Sequence, residues 1–135
     1  MLLRAVSMLK KRLGVEAVER KWDWNNKLLL LFKIPSTLVI PESCERIGNC
    51  AFYYCQKLRK VIISEGVMWI RSRAFMGCCK LEEVVIPESV EWIGYAAFNR
   101  CEKATIILKK PKNDFESIGD HAFNGCRHVK EKVGS

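Results

Sequence analysis

From Leu38 onward, apolar and polar positions follow a pattern that restarts every 23 residues. Residues 40–62 read IPESCERIGNCAFYYCQKLRKVI, residues 63–85 read ISEGVMWIRSRAFMGCCKLEEVV, and residues 86–108 read IPESVEWIGYAAFNRCEKATIIL. A last unit, beginning at 109, contains FESIGDHAFNGCRHVKE. Phe52, Phe75, Phe98 and Phe123 recur at steps of 23, 23 and 25. Cys55, Cys78, Cys101 and Cys126 keep the same steps, as do Ile47, Ile70, Ile93 and Ile118, and Ala51, Ala74, Ala97 and Ala122. Leu38 and Ile40 stand 23 before Val61 and Ile63, and Leu29 and Phe32 stand 23 before Phe52 and Cys55. A degenerate first unit therefore occupies residues 24–39.

A unit this short cannot bury its own apolar face. Stacking equal units turns each recurring position into a continuous column, so the pattern predicts a repeat solenoid. Within a unit, Leu58, Val61 and Ile63 lie in a β-branched stretch whose alternation predicts a short strand with one face inward. Pro41 and Pro87 end that strand, where a missing donor costs least. Ala-Phe followed by Cys three residues later predicts a short helical turn, with Phe as the bulky filler of the core.

The motif LxxVxIPxxVxxIGxxAFxxC, clearest from Leu81 to Cys101, resembles the BspA-like class of leucine-rich repeats. The resemblance covers roughly residues 24–130, divided as 24–39, 40–62, 63–85, 86–108 and 109–130. It implies a right-handed coil with short parallel β-strands on the concave face. It also implies a non-catalytic interaction or adhesion module. Three positions depart from the motif: Ser64 stands for Pro, Arg71 for Gly, and Ala104 for the strand-opening Leu.

If strand residues alternate, those between the inward ones face outward on the concave side. By 23-residue alignment one outward row is Val39, Ile62, Val85 and Leu108. A second is Thr37, Lys60, Glu83 and Ile106, and a third is Ser36, Arg59, Glu82 and Thr105. The first row is apolar throughout. It reads either as cross-strand pairing that only stabilises the sheet or as a docking strip for a protein partner. Arg59 and Lys60 on one coil face Glu82 and Glu83 on the next, a rim suited to orienting a partner.

Solenoid ends need covering. Leu2, Val6, Leu9 and Leu13 follow helical spacing among basic residues, so residues 1–23 are expected to form an amphipathic helical cap. The same spacing also fits a membrane-surface or transit helix. Residues 131–135 form a short tail, too charged to cap the other end. The coil carrying Ile118, Phe123 and Val129 is then expected to be relieved by pairing of two chains into a homodimer.

Composition narrows the rest. An apolar fraction of 49% and a charged fraction of 28% over 135 residues are those of one ordinary globular domain. The net charge of +8 admits an anionic partner. The basic stretch KKPKND (109–114) has no interleaved aromatics to stack bases. A protein partner is therefore expected, rather than nucleic acid or a membrane surface. Seven Cys, an odd number, cannot all pair within one chain, and no CxxC offers a zinc spacing. With no apolar leader after the first basic residues, the thiols are expected to be reduced and the location intracellular, in the cytoplasm. Cys55, Cys78, Cys101 and Cys126 read as core, while Cys44, Cys50 and Cys79 fall off that column and are expected to be exposed. His121 and His128 have no nucleophile or carboxylate at a catalytic spacing. Neither enzymatic activity nor a cofactor is expected.

Overall fold

The computed structural model describes residues 36–132, so the expected cap over 1–23, most of the degenerate first unit and the last three residues lie outside it. Among the described residues nine short strands run in chain order. Five of them, β1 (Thr37–Ile40), β3 (Lys60–Ile63), β5 (Glu83–Ile86), β7 (Thr105–Leu108) and β9 (His128–Glu131), form one sheet. The other four, β2 (Arg46–Ile47), β4 (Trp69–Ile70), β6 (Trp92–Ile93) and β8 (Ser117–Ile118), form a second. Every pairing is parallel, each strand with its counterpart one coil on. This is a parallel solenoid of about four turns, as the repeat predicts. β1 and β5 stop just before Pro41 and Pro87, which cannot donate to a ladder.

The third side of each coil corrects one expectation. The Ala-Phe segment is not a helical turn. Among the described residues the one helical piece is a 3-10 turn at Lys112–Asp114. In the corner of the third coil the N–H groups of Ala97, Asn99 and Cys101 close tight turns onto Gly94, Ala96 and Phe98. The alternate N–H groups of Ala96, Phe98 and Arg100 donate instead to the carbonyls of Asp120, Ala122 and Asn124 on the next coil. Half the donors a helix would spend on itself are thus committed between coils. The corner also holds left-handed residues that interrupt helical geometry. Cys50, Arg73, Ala96 and His121 share φ of +53 to +60°, and Tyr54, Gly77, Arg100 and Gly125 repeat the feature four residues on.

The core lies between the sheets and the corner. Phe52, Phe75 and Phe98 are fully buried and Phe123 packs against them. Their rings form a single file, with centroids 5.2, 5.1 and 6.0 Å apart and near-parallel planes. That spacing is one coil, close to the inter-strand distance of about 4.8 Å. Beside them, the thiols of Cys78, Cys101 and Cys126 donate to the carbonyls of Phe52, Phe75 and Phe98 on the preceding coil, at 3.1–3.2 Å. Cys44 is also fully buried, against expectation. It occupies the inward position held by Val67, Val90 and Phe115 on later coils, and takes its place there as a small apolar group.

The register slips once. Two residues (Arg59 and Lys60) separate Leu58 from inward Val61, and two (Glu82 and Glu83) separate Leu81 from inward Val84. Only Thr105 separates Ala104 from Ile106. β7 therefore pairs with Glu83 opposite Thr105, Val84 opposite Ile106, Val85 opposite Ile107 and Ile86 opposite Leu108. Ile106 and Leu108, expected on the outward face, are buried at 0% and 1% exposure. The chain recovers its length in the loop from Lys109 to Phe115, so that Ser117 still pairs with Trp92.

Phe75 is sandwiched on both faces, so its loss leaves a cavity that neighbouring rings cannot close. Phe75→Ala is expected to cost about 3–5 kcal/mol, read from the shift of a urea unfolding transition.

Candidate functional site

The side of the five-stranded sheet turned away from the core carries most of the residues that the sequence marks for binding. Strand pairing sets Val39 beside Ile62, Ile62 beside Val85, and Val85 beside Ile107. Val39 is 55% exposed and Ile62 41%, while Val85 and Ile107 are half-buried. The apolar row thus exists, with Ile107 in the place expected for Leu108. The next row runs Thr37, Lys60, Glu83, Thr105 and His128, so Thr105 replaces Ile106 there. The expected charge rim is present: Arg59 and Glu82 face each other at 3.8 Å, with both side chains largely exposed. In that setting the pair contributes little stability.

At the edge where these strands begin, a groove of about 550 Å³ is lined by Arg59, Lys80, Glu82, Lys103, Thr105 and Arg127. Lys57, Lys80 and Lys103 recur at steps of 23, two residues after each Cys. Sequence reasoning passed over this lysine file, although the period that revealed the phenylalanines also reveals it. Ile118, Phe123 and Val129 lie together on the last described coil, partly buried against the core.

The second sheet presents a surface that sequence reasoning also missed. Its outward positions are Arg46, Trp69, Trp92 and Ser117. Trp69 and Trp92 stack with centroids 4.9 Å apart and planes 9° from parallel. The Arg46 guanidinium lies over Trp69, 5.1 Å from its centroid, and approaches Glu45 at 4.0 Å. An open groove of about 500 Å³ follows this file, with Asn49, Ser72, Tyr95, Ser117 and Gly119 among its walls. Gly94 and Gly119 permit the close approach: a Cβ on either would sit 2.5 Å from a backbone nitrogen of the preceding coil.

Comparison with known proteins accords with this geometry. The family model described as "BspA type Leucine rich repeat region (6 copies)" matches residues 33–133. The chain belongs to the BspA-type leucine-rich repeat family. Among solved structures it is similar to the crystal structure of the pneumococcal vaccine antigen PcpA, with a TM-score of 0.55 and 24% identity. That match covers 77% of this chain and 33% of the antigen, and it bears on the fold alone. No curated protein matches.

In this BspA-type solenoid the seven cysteines are thiols rather than disulfides. Burial pushes the Cys44 thiol up to about 11 and that of Cys126 up to about 12. The Cys78 thiol is pushed up by the neighbouring Cys101 thiol and then by burial. Cys50 and Cys79 are half-exposed, less open to solvent than the sequence suggests. His121 sits in the exposed corner, edge-on to Tyr95 at 5.7 Å. Among the described residues no group of three His, Cys, Asp or Glu side chains is placed to hold a metal, and no helix is long and apolar enough to cross a membrane.

These thiols give a test in two parts. Brief alkylation of the native protein at neutral pH is expected to modify Cys50 and Cys79 and to spare Cys44, Cys78, Cys101 and Cys126, as read by peptide mass spectrometry. Stability should also fall as pH rises. Above about 9 the unfolded thiols ionise while native Cys44 stays protonated to about 11, so the unfolded state holds fewer protons across that window.

Proposed function

We propose that this chain is a non-catalytic protein-binding module that docks its partner on the outer face of the five-stranded sheet. The observation that carries this reading is the exposed apolar row Val39–Ile62–Val85–Ile107. Cross-strand pairing alone would account for the half-buried Val85 and Ile107, but not for two large aliphatic side chains left 55% and 41% exposed at one end of the row. The charges beside it are arranged to orient a partner rather than to hold it. Arg59 and Lys60 lie on one coil and Glu82 and Glu83 on the next, and the lysine-lined groove at the strand entrances favours acidic groups at that edge of the partner. The membership of the BspA-type family supports an interaction role of this general kind.

Val85 sits at the middle of the strip with its side chain outward. Val85→Arg is expected to leave the thermal unfolding midpoint close to that of the native chain and to abolish capture of a partner in a quantitative pull-down. Glu88→Arg, on an exposed turn away from the strip, should capture it normally. Equal capture by the native chain and Val85→Arg would remove this face from consideration.

A second reading is self-association through the coil of Ile118, Phe123 and Val129. It is favoured by one observation: among the described residues Phe123 has a stacking partner, Phe98, on one face, and β9 has a pairing strand on one edge. Light scattering over a range of concentrations tests it. A dimer weakened by Phe123→Glu supports it, and a monomer at the highest concentration excludes it.

A further inference from the structure

On the second sheet, the outward file begins with a cation stacked on an aromatic and ends with that arrangement half built. The repeat places Glu45-Arg46, Met68-Trp69, Glu91-Trp92 and Glu116-Ser117 at equivalent positions on successive coils. On the first coil the Arg46 guanidinium covers one face of Trp69 and pairs with Glu45. Trp92 covers the other face of Trp69. The far face of Trp92 looks toward Ser117, its register partner, whose side chain is too small to cover an indole. The acid of the first coil has its counterpart in Glu116, which is exposed and has no ion pair among the described residues.

We infer that the slot between Trp92 and Ser117 receives an arginine side chain from a protein partner, its guanidinium stacked on the Trp92 ring and paired with Glu116. A planar group suits this place in the file, where the preceding stack sets one flat ring on the next at 4.9 Å. A cation is favoured because the indole face is electron-rich and Glu116 holds, next to Ser117, the position that Glu45 holds next to Arg46. Arginine suits the slot better than lysine, since a flat guanidinium stacks and donates in its own plane where an ammonium does not. The nearby cations do not fill it. Lys110 is held by Glu91 at 2.7 Å and lies over Phe115. Arg71 shares the groove but belongs to the coil of Trp69, two coils from Gly119 and Ser117. This slot is on a different sheet from the apolar row, so it stands or falls independently of that surface.

The test follows the Trp92 indole N–H signal by NMR on the full ¹⁵N-labelled chain, with N-acetyl-argininamide and N-acetyl-lysinamide as probes. The arginine probe is expected to shift that signal saturably, and the lysine probe to bind several-fold more weakly. Glu116→Gln should weaken the arginine probe several-fold. Ser117→Arg supplies the guanidinium from the chain itself, so it should shift the Trp92 signal without any probe and abolish the response to added probe. No saturable shift, equal binding of both probes, or undiminished binding to Ser117→Arg would each overturn the inference. Glu116→Gln keeps the test decisive if the arginine variant fails to fold.

Discussion

Phe52, Phe75, Phe98 and Phe123 can lie face to face at about 5 Å only if each turn of chain sits directly on the one before it. That spacing is set by the hydrogen bonds between parallel strands, and it leaves no freedom to offset one coil against the next. Everything else in the molecule meets this condition. Backbone groups on all three sides of the coil are paired upward and downward: through the two sheets, and through the corner where Phe98 N–H reaches the Ala122 carbonyl. The thiol file does the same with side chains, each Cys satisfying the Phe carbonyl one turn below. A small residue with a weak donor fits there, where Ser would bury a more demanding hydroxyl.

Direct stacking has a consequence for surfaces. Whatever a position holds outside the core is also repeated in a file, so the exterior becomes a set of stripes one residue wide. The aliphatic stripe, the lysine stripe and the tryptophan stripe are three results of one rule. Two of the outward files change residue type part-way. Thr105 breaks the row of Lys60 and Glu83, and Ser117 breaks the file of Trp69 and Trp92. At Ser117 the change leaves one face of Trp92 without an aromatic neighbour in the file.

Much of this was legible in one dimension. The Phe, Cys, Ile and Ala columns were readable because their residue types recur at a fixed step. The lysine and tryptophan files obey the same step but lie outside the core, where solvent tolerates many residue types and recurrence carries no packing signal. Cys44 was misplaced for a related reason. Read as a cysteine it belongs to no column, but read as the counterpart of Val67 and Val90 it belongs to the core. Side-chain size and polarity, rather than residue name, decide who can occupy a buried slot.

The period alone was enough to establish that coils stack, that the Phe, Cys, Ile and Ala columns pile into the interior, and which repeat family the chain belongs to. Those properties need only the identity of residues at equal intervals. The backbone path through the corner and the facing of the fourth strand were settled in three dimensions. In Ile106-Ile107-Leu108 every residue is apolar, so composition favours neither alternate set. The short span from Ala104 decides that Ile106 and Leu108 turn inward once the strand is laid on Val84 and Ile86. At the corner, left-handed residues as different as Cys50, Arg73, Ala96 and His121 share one conformation. The N–H groups of Cys50, Arg73 and Ala96 donate from it to the next coil, and no side-chain pattern announces it.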